Sequence, residues 1–134
     1  MIILVVEDEP VTATHLEASL TDAGYEVLGP ASTTSAALEL AERTRPDLAL
    51  IDMDLKDGSN GIDLARMMLR RWNTPALIIS GYPERARANR DVAIGFIAKP
   101  YRPETVLASI KVVKAVRSGQ SFSPLEIPAD LELF

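Results

Sequence analysis

Apolar residues along this chain come in two alternating patterns. Unbroken runs lie within the stretches 2–6, 47–52 and 76–80, with shorter ones within 25–29 and 94–98. Between them, apolar positions recur three or four residues apart. An unbroken run bounded by turn formers reads as a strand covered on both faces, whereas the wider spacing reads as a helix with one buried stripe. The stretch Leu48-Ala49-Leu50-Ile51-Asp52-Met53-Asp54-Leu55 is the most telling, because four apolar residues run straight into an acid and a second acid follows two places on.

The helices have recognisable ends. Pro10 suits the first turn of a helix whose stripe is Val11, Leu16, Leu20 and Ala23, and Gly24 ends it. Ser32 or Thr33 caps a second helix carrying Ala37, Leu40 and Ala41, with Pro46 at its exit. Turn formers at 56–61 precede a third helix with Ile62, Ala65, Leu69 and Trp72, which Asn73-Thr74-Pro75 breaks. Pro103 starts a last helix with Val106, Ile110 and Val113 on one face. Segment 83–91 has only alanines as apolar anchors, so a helix there buries little and is expected to be short or mobile.

Strands alternating with helices predict an α/β fold, a doubly wound five-stranded parallel sheet in the order 2-1-3-4-5. Residues 1–117 carry this pattern as one domain. Residues 118–134 are expected to be a C-terminal tail without an effector domain, in which Leu131, Leu133 and Phe134 could anchor on an apolar surface.

Composition narrows the class. With 47% hydrophobic and 25% charged residues, the 134-residue chain has the make-up of an ordinary soluble globular domain. A net charge of −5 argues against nucleic acid as the main partner, since phosphate contacts need clustered Lys and Arg. The lack of cysteine excludes disulfides and thiolate metal sites. The opening apolar run is too short for a membrane span and lacks a positive flank, so no membrane insertion and a cytoplasmic location are expected.

The chemistry lies in the polar residues at the strand ends. Open parallel sheets bind ligands beyond the carboxyl ends of their strands, at the point where strand order reverses. There the first and third strands are neighbours, which gathers Glu7 and Asp8 with Asp52. Like charges about 4 Å apart repel by roughly 1 kcal/mol in water and roughly 4 kcal/mol at an effective dielectric of 20. Such a cluster calls for a cation, and an all-oxygen set favours Mg²⁺. Ser80 closes the fourth strand with a hydroxyl, and Lys99 follows the fifth with an ammonium. Around one point these groups suit phosphoryl transfer with Asp52 as the nucleophile.

Val6-Glu7-Asp8-Glu9-Pro10, Pro46-Asp47-Leu48-Ala49-Leu50-Ile51-Asp52, Ile79-Ser80-Gly81 and Ala98-Lys99-Pro100-Tyr101 resemble the receiver domain of two-component response regulators. The resemblance implies a flavodoxin-like receiver fold of the single-domain, chemotaxis-regulator kind. It implies that Asp52 is the phosphoacceptor, taking its phosphoryl group from a sensor histidine kinase or a histidine phosphotransfer protein. Self-phosphorylation and self-dephosphorylation then take the place of enzymatic turnover. By the same resemblance Asp8 and Asp52 ligate Mg²⁺ directly, Glu7 acts largely through water, and the backbone carbonyl of Asp54 completes the ligands. Ser80 binds the phosphoryl oxygens, Lys99 pairs with Asp52 or its phosphate, and Phe96 takes the aromatic switch position. Output passes through protein contacts or phosphate shuttling, read at the face of the fourth helix, fifth strand and last helix.

The departures point to a subgroup. Lys56 stands where the family usually has proline, the loop after it is one residue longer, and Ser80-Gly81-Tyr82 replaces the common Thr-Ala pair. These features are similar to single-domain regulators with a Thr-Gly-Tyr-like motif, which are partnered by kinases of the HWE/HisKA-2 class.

Asp54 brings a further carboxylate near the phosphoryl site and is expected to tune the lifetime of the phosphorylated state. Asp52-Met53-Asp54 also admits an alternative, a Mg²⁺-dependent aspartyl phosphohydrolase. Against it, the pair follows the third strand, and the acids after the first would be left without a role. Other polar and aromatic residues have plainer readings: His15 as packing or surface, Trp72 as core or helix-end packing, and Asp63 as a first-turn helix acid. Arg85, Arg87 and Arg90 read as a solvated face.

Overall fold

The unbroken apolar runs form the middle of a six-stranded sheet in the computed structural model, which describes residues 1–134. The chain runs β1 (Ile2–Val6), α1 (Pro10–Asp22), β2 (Glu26–Ala31), α2 (Thr34–Arg43), β3 (Leu48–Asp52) and α3 (Gly61–Trp72). It continues through β4 (Ala76–Ser80), α4 (Pro83–Ala88), β5 (Gly95–Ala98) and α5 (Pro103–Ser118) to a 3-10 turn at Pro124–Glu126 and β6 (Leu131–Leu133). The five expected strands stand in the expected order and are all parallel. The sixth pairs antiparallel with β5 and extends that edge. The fold is thus the doubly wound, flavodoxin-like α/β class, with one strand more than the periodicity predicts.

Helix ends follow local chemistry. Glu9 caps α1 by accepting from the Thr12 N–H at 2.6 Å, and Thr33 caps α2 by accepting from the Ala36 N–H at 3.1 Å. Asn60 caps α3 through bonds from Ile62 and Asp63. The buried stripe of α1 is Ala13, Leu16 and Leu20, whereas Val11 is 61% exposed and Ala23 is exposed as well. Val11 lies five residues from Leu16, which at about 100° per residue turns it well away from the stripe. In α3 the stripe is Ile62, Leu64, Ala65 and Met68, with Leu69 and Trp72 half-buried at its margin. The Arg45 guanidinium lies 4.2 Å from the Trp72 ring centroid and covers it. α4 is short, as its composition predicts, and Ala86 is its one buried residue.

Alternate residues of the central strands face opposite layers. Leu4, Ile51, Ile78 and Phe96 pack with α2, α3 and α4, while Val5, Leu50, Leu77 and Ile97 pack with α1 and α5. Leu131 joins the second of these layers, and Phe134 packs against the first. The apolar residues of the tail are therefore split across the two faces of the sheet. No helix is long and apolar enough to cross a membrane.

Candidate functional site

The carboxyl ends of β1, β3 and β5 open into a cavity of about 480 Å³. Its walls include Glu7, Asp8, Asp52, Asp54, Lys99 and Tyr101, with Glu9, Thr12, Lys56 and Pro100 around the mouth. β1 and β3 are hydrogen-bonded neighbours, with Val6 opposite Ile51, so the acids that follow β1 meet the acid that ends β3. Glu7, Asp8 and Asp52 each offer one oxygen within 4.8 Å of the others.

Asp52 is buried and doubly held. Its Oδ1 accepts from Lys99 Nζ at 2.8 Å and from the Asp54 N–H at 2.8 Å. Burial works against its charge, but the neighbouring Glu7 and the hydrogen bonds from Lys99 and the Asp54 N–H outweigh it and hold the carboxyl below its usual range. Glu7 goes the other way: burial, then the neighbouring Asp52 carboxylate, pushes it up to about 8. Lys99 is opposed by burial yet held above its ordinary value by Asp52, then Asp54 and Glu7. Burial also raises Tyr101, with Glu7 and Asp52 adding to the effect, and its hydroxyl is buried without a hydrogen-bond partner.

Asp8 ties the cavity to the loop after β3, accepting from the Lys56 N–H at 2.7 Å. Asp54 ties the same loop to the end of β4: its Oδ2 accepts from the Gly81 N–H at 3.0 Å and lies 3.6 Å from Lys99 Nζ. Its Oδ1, like Oε2 of Glu7, is buried without a hydrogen-bond partner. Three converging carboxylates with an orphaned oxygen among them fit a hard divalent cation, which takes oxygen ligands and satisfies lone pairs that protein donors leave open.

The residues predicted from the strand ends reach this cavity, apart from Ser80 and Phe96. Ser80 ends β4 as expected, but it is wholly buried, and its Oγ accepts from the Tyr82 N–H at 2.9 Å. Phe96 lies in the core beneath α4, with its ring centroid 5.8 Å from that of Phe134. The hydrogen bond between the Asp54 carboxylate and Gly81 and the burial of Tyr101 were not anticipated. The sequence offered a hint of the second, since Tyr101 follows Lys99-Pro100 directly.

The model of the response regulator receiver domain matches residues 3–111 of the chain. Phyllosphere-induced regulator PhyR of Methylorubrum extorquens is 41% identical over 110 residues, which are 81% of this chain and 41% of that protein. Phosphate regulon transcriptional regulatory protein PhoB of Pseudomonas aeruginosa is 32% identical over 132 residues, 93% of this chain and 57% of that protein. The chain spans about half the length of the curated relatives it matches. A CheY-like receiver domain protein from Methanospirillum hungatei superposes with a TM-score of 0.79 at 27% identity, covering 88% of this chain and 96% of that one. Anti-anti-sigma factor PhyR from Bartonella quintana superposes with a TM-score of 0.74 at 28% identity, over 88% of this chain and 49% of that one.

Proposed function

The chain belongs to the response regulator receiver family, as a phosphorylation-controlled module of two-component signalling, and on that premise we propose that Asp52 is its phosphoacceptor. The observation that carries this is the setting of Asp52: a buried carboxylate at the end of β3, 2.8 Å from Lys99 and grouped with Glu7 and Asp8. A depressed carboxyl stays ionised and keeps its lone pairs available as a nucleophile.

In the transfer, an Asp52 oxygen bonds to phosphorus as the phosphorus–nitrogen bond of a donor phosphohistidine breaks, and the freed imidazole takes up a proton. Lys99 is in place to balance charge on the phosphoryl oxygens. Glu7, Asp8 and Asp52, with the carbonyl of Asp54, would hold Mg²⁺, which when bound supplies further positive charge at those oxygens. Ser80 has to turn its hydroxyl from the Tyr82 N–H to reach the phosphoryl group, which would move residues 80–82 and give Phe96 a reason to repack. Hydrolysis of the acyl phosphate returns the Asp52 carboxylate and inorganic phosphate, and the Asp54 charge sets how long that takes.

The protein is a signalling protein rather than a classical enzyme. Its partner in this reading is a cytoplasmic sensor histidine kinase of the HWE/HisKA-2 class, or a histidine phosphotransfer protein, as the Ser80-Gly81-Tyr82 motif implies. Residues 1–117 form the receiver unit, and β6 within residues 118–134 extends its sheet edge. Incubation with acetyl phosphate and Mg²⁺, followed by intact mass measurement, tests the reading. Labelling that stops at one phosphate per chain is expected, whereas continued turnover of phosphate esters would return the phosphohydrolase alternative.

A further inference from the structure

Tyr101 lies in the short link from β5 to α5, and that link is held at both ends. The Lys99 N–H donates to the Ser80 carbonyl at 2.9 Å, and the Arg102 carbonyl accepts from the Thr105 N–H at 2.9 Å. The Tyr101 ring packs on the core layer that α1 and α5 share with the sheet. A phenylalanine would make the same apolar contact. The hydroxyl adds a buried polar atom without a partner, and such an atom costs stability that an apolar ring keeps.

The same ring is a wall of the acidic cavity. Two further buried side-chain oxygens lack a hydrogen-bond partner, Glu7 Oε2 and Asp54 Oδ1, and both of these residues also line that cavity. A carboxylate only accepts, so the phenol is the one donor among the three. Burial holds Tyr101 above its ordinary value, so at neutral pH it stays protonated and able to donate. Glu7 comes first among the charges that act on it, ahead of Asp52 and Glu9, and Asp54 is not among them. That order matches the orphaned donor to the Glu7 oxygen rather than to that of Asp54. The two groups are outside hydrogen-bond reach of each other, yet a cavity of about 480 Å³ has room for a water between them.

We propose that Tyr101 is a positioning residue for the metal site: its hydroxyl holds Glu7 Oε2 through one bound water and leaves the other Glu7 oxygen free to serve the cation beside Asp8 and Asp52. A Glu7 that serves a cation is ionised, and its second oxygen then needs a donor. The proposal rests on the Mg²⁺ reading of this cavity. Outer partners of this kind orient metal ligands, and losing one weakens metal binding about tenfold or more.

Titration of the full chain with Mn²⁺, with the free ion read by electron paramagnetic resonance and Mg²⁺ as competitor, tests it. Wild type should hold one ion that Mg²⁺ displaces, and Asp8→Asn should lose it. Tyr101→Phe, which keeps the ring and its packing, should bind about tenfold more weakly. In a Glu7→Gln background the same change should have no further effect, because the hydroxyl acts through the Glu7 carboxylate. The Mg²⁺ concentration for half-maximal labelling of Asp52 by acetyl phosphate should rise by the same factor in Tyr101→Phe, with the deficit made good at saturating Mg²⁺. A Tyr101→Phe protein that binds as wild type does, or one that loses as much affinity with Glu7→Gln as without it, overturns the proposal while the metal reading stands. A labelling deficit that saturating Mg²⁺ leaves in place also overturns it, since it would mark a merely structural role. Absence of a Mg²⁺-competed site in wild type would overturn the metal reading, and this proposal with it.

Discussion

The Asp54 carboxylate accepts from the Gly81 N–H and lies 3.6 Å from Lys99, so it draws on the same cation as Asp52. An anion in that place competes with a phosphoryl group for Lys99 and repels it. Asp54→Asn keeps an oxygen that can accept from Gly81 and removes only the charge. One unit charge at about 4 Å is worth roughly 1 kcal/mol in water, so loss of phosphate from the variant should slow about fivefold. A decay time course that is unchanged or faster would contradict this. The acids, Lys99 and their convergence were legible in the sequence because each follows a strand, and strand order fixes where strand ends meet. The Asp54 contact was not legible, because it depends on how the loop after β3 folds back to Gly81. The hydrogen bond of Ser80 to Tyr82 was hidden for the same reason, since hydroxyl direction is a local choice that strand position leaves open.

At the scale of elements, α3 is seated by a residue that looks unsuited to a helix. A Cβ at Gly61 would lie 2.9 Å from Ile51 Cγ2 and 3.0 Å from the Asp52 carbonyl oxygen. Gly61→Ala gains helix propensity yet must push the helix start off β3. Overpacking of this kind costs about 1–3 kcal/mol, and here the strain falls on the backbone of Asp52, the proposed phosphoacceptor. Urea unfolding should show that loss together with slower labelling of Asp52, and a variant as stable as wild type would contradict the account. The strands, the helix order and the shortness of α4 were readable from periodicity. The stripes of α1 and α3 were read less well, because spacing gives the period and not which face meets the sheet: Val11 is exposed, and Met68 rather than Leu69 is fully buried.

At the scale of the whole molecule, the chain's end returns to the sheet and closes its edge beside α4. Three residues with one acid between two leucines carry too little pattern to announce a strand, and their partner lies more than thirty residues back, as the Phe96–Glu132 register shows. Arg87 holds the Glu132 carboxyl below its ordinary value of 4.5, with Arg90 adding to the effect, while Glu84 shares the Arg87 charge. The clamp is therefore fully present above the ordinary glutamate value and is lost as pH falls through the lower value held in the fold. The Phe134 ring signals in a proton NMR titration should report loosening of the tail in that acidic window. Titration at the ordinary glutamate value, or none, would contradict the clamp.

The central claim places the phosphoryl group on Asp52. Its most direct measurement is labelling from acetyl phosphate or a phosphohistidine donor, with wild type set against Asp52→Asn and Mg²⁺ present or removed. The account predicts one Mg²⁺-dependent phosphate on wild type and none on Asp52→Asn. Equal labelling of the two proteins would contradict it.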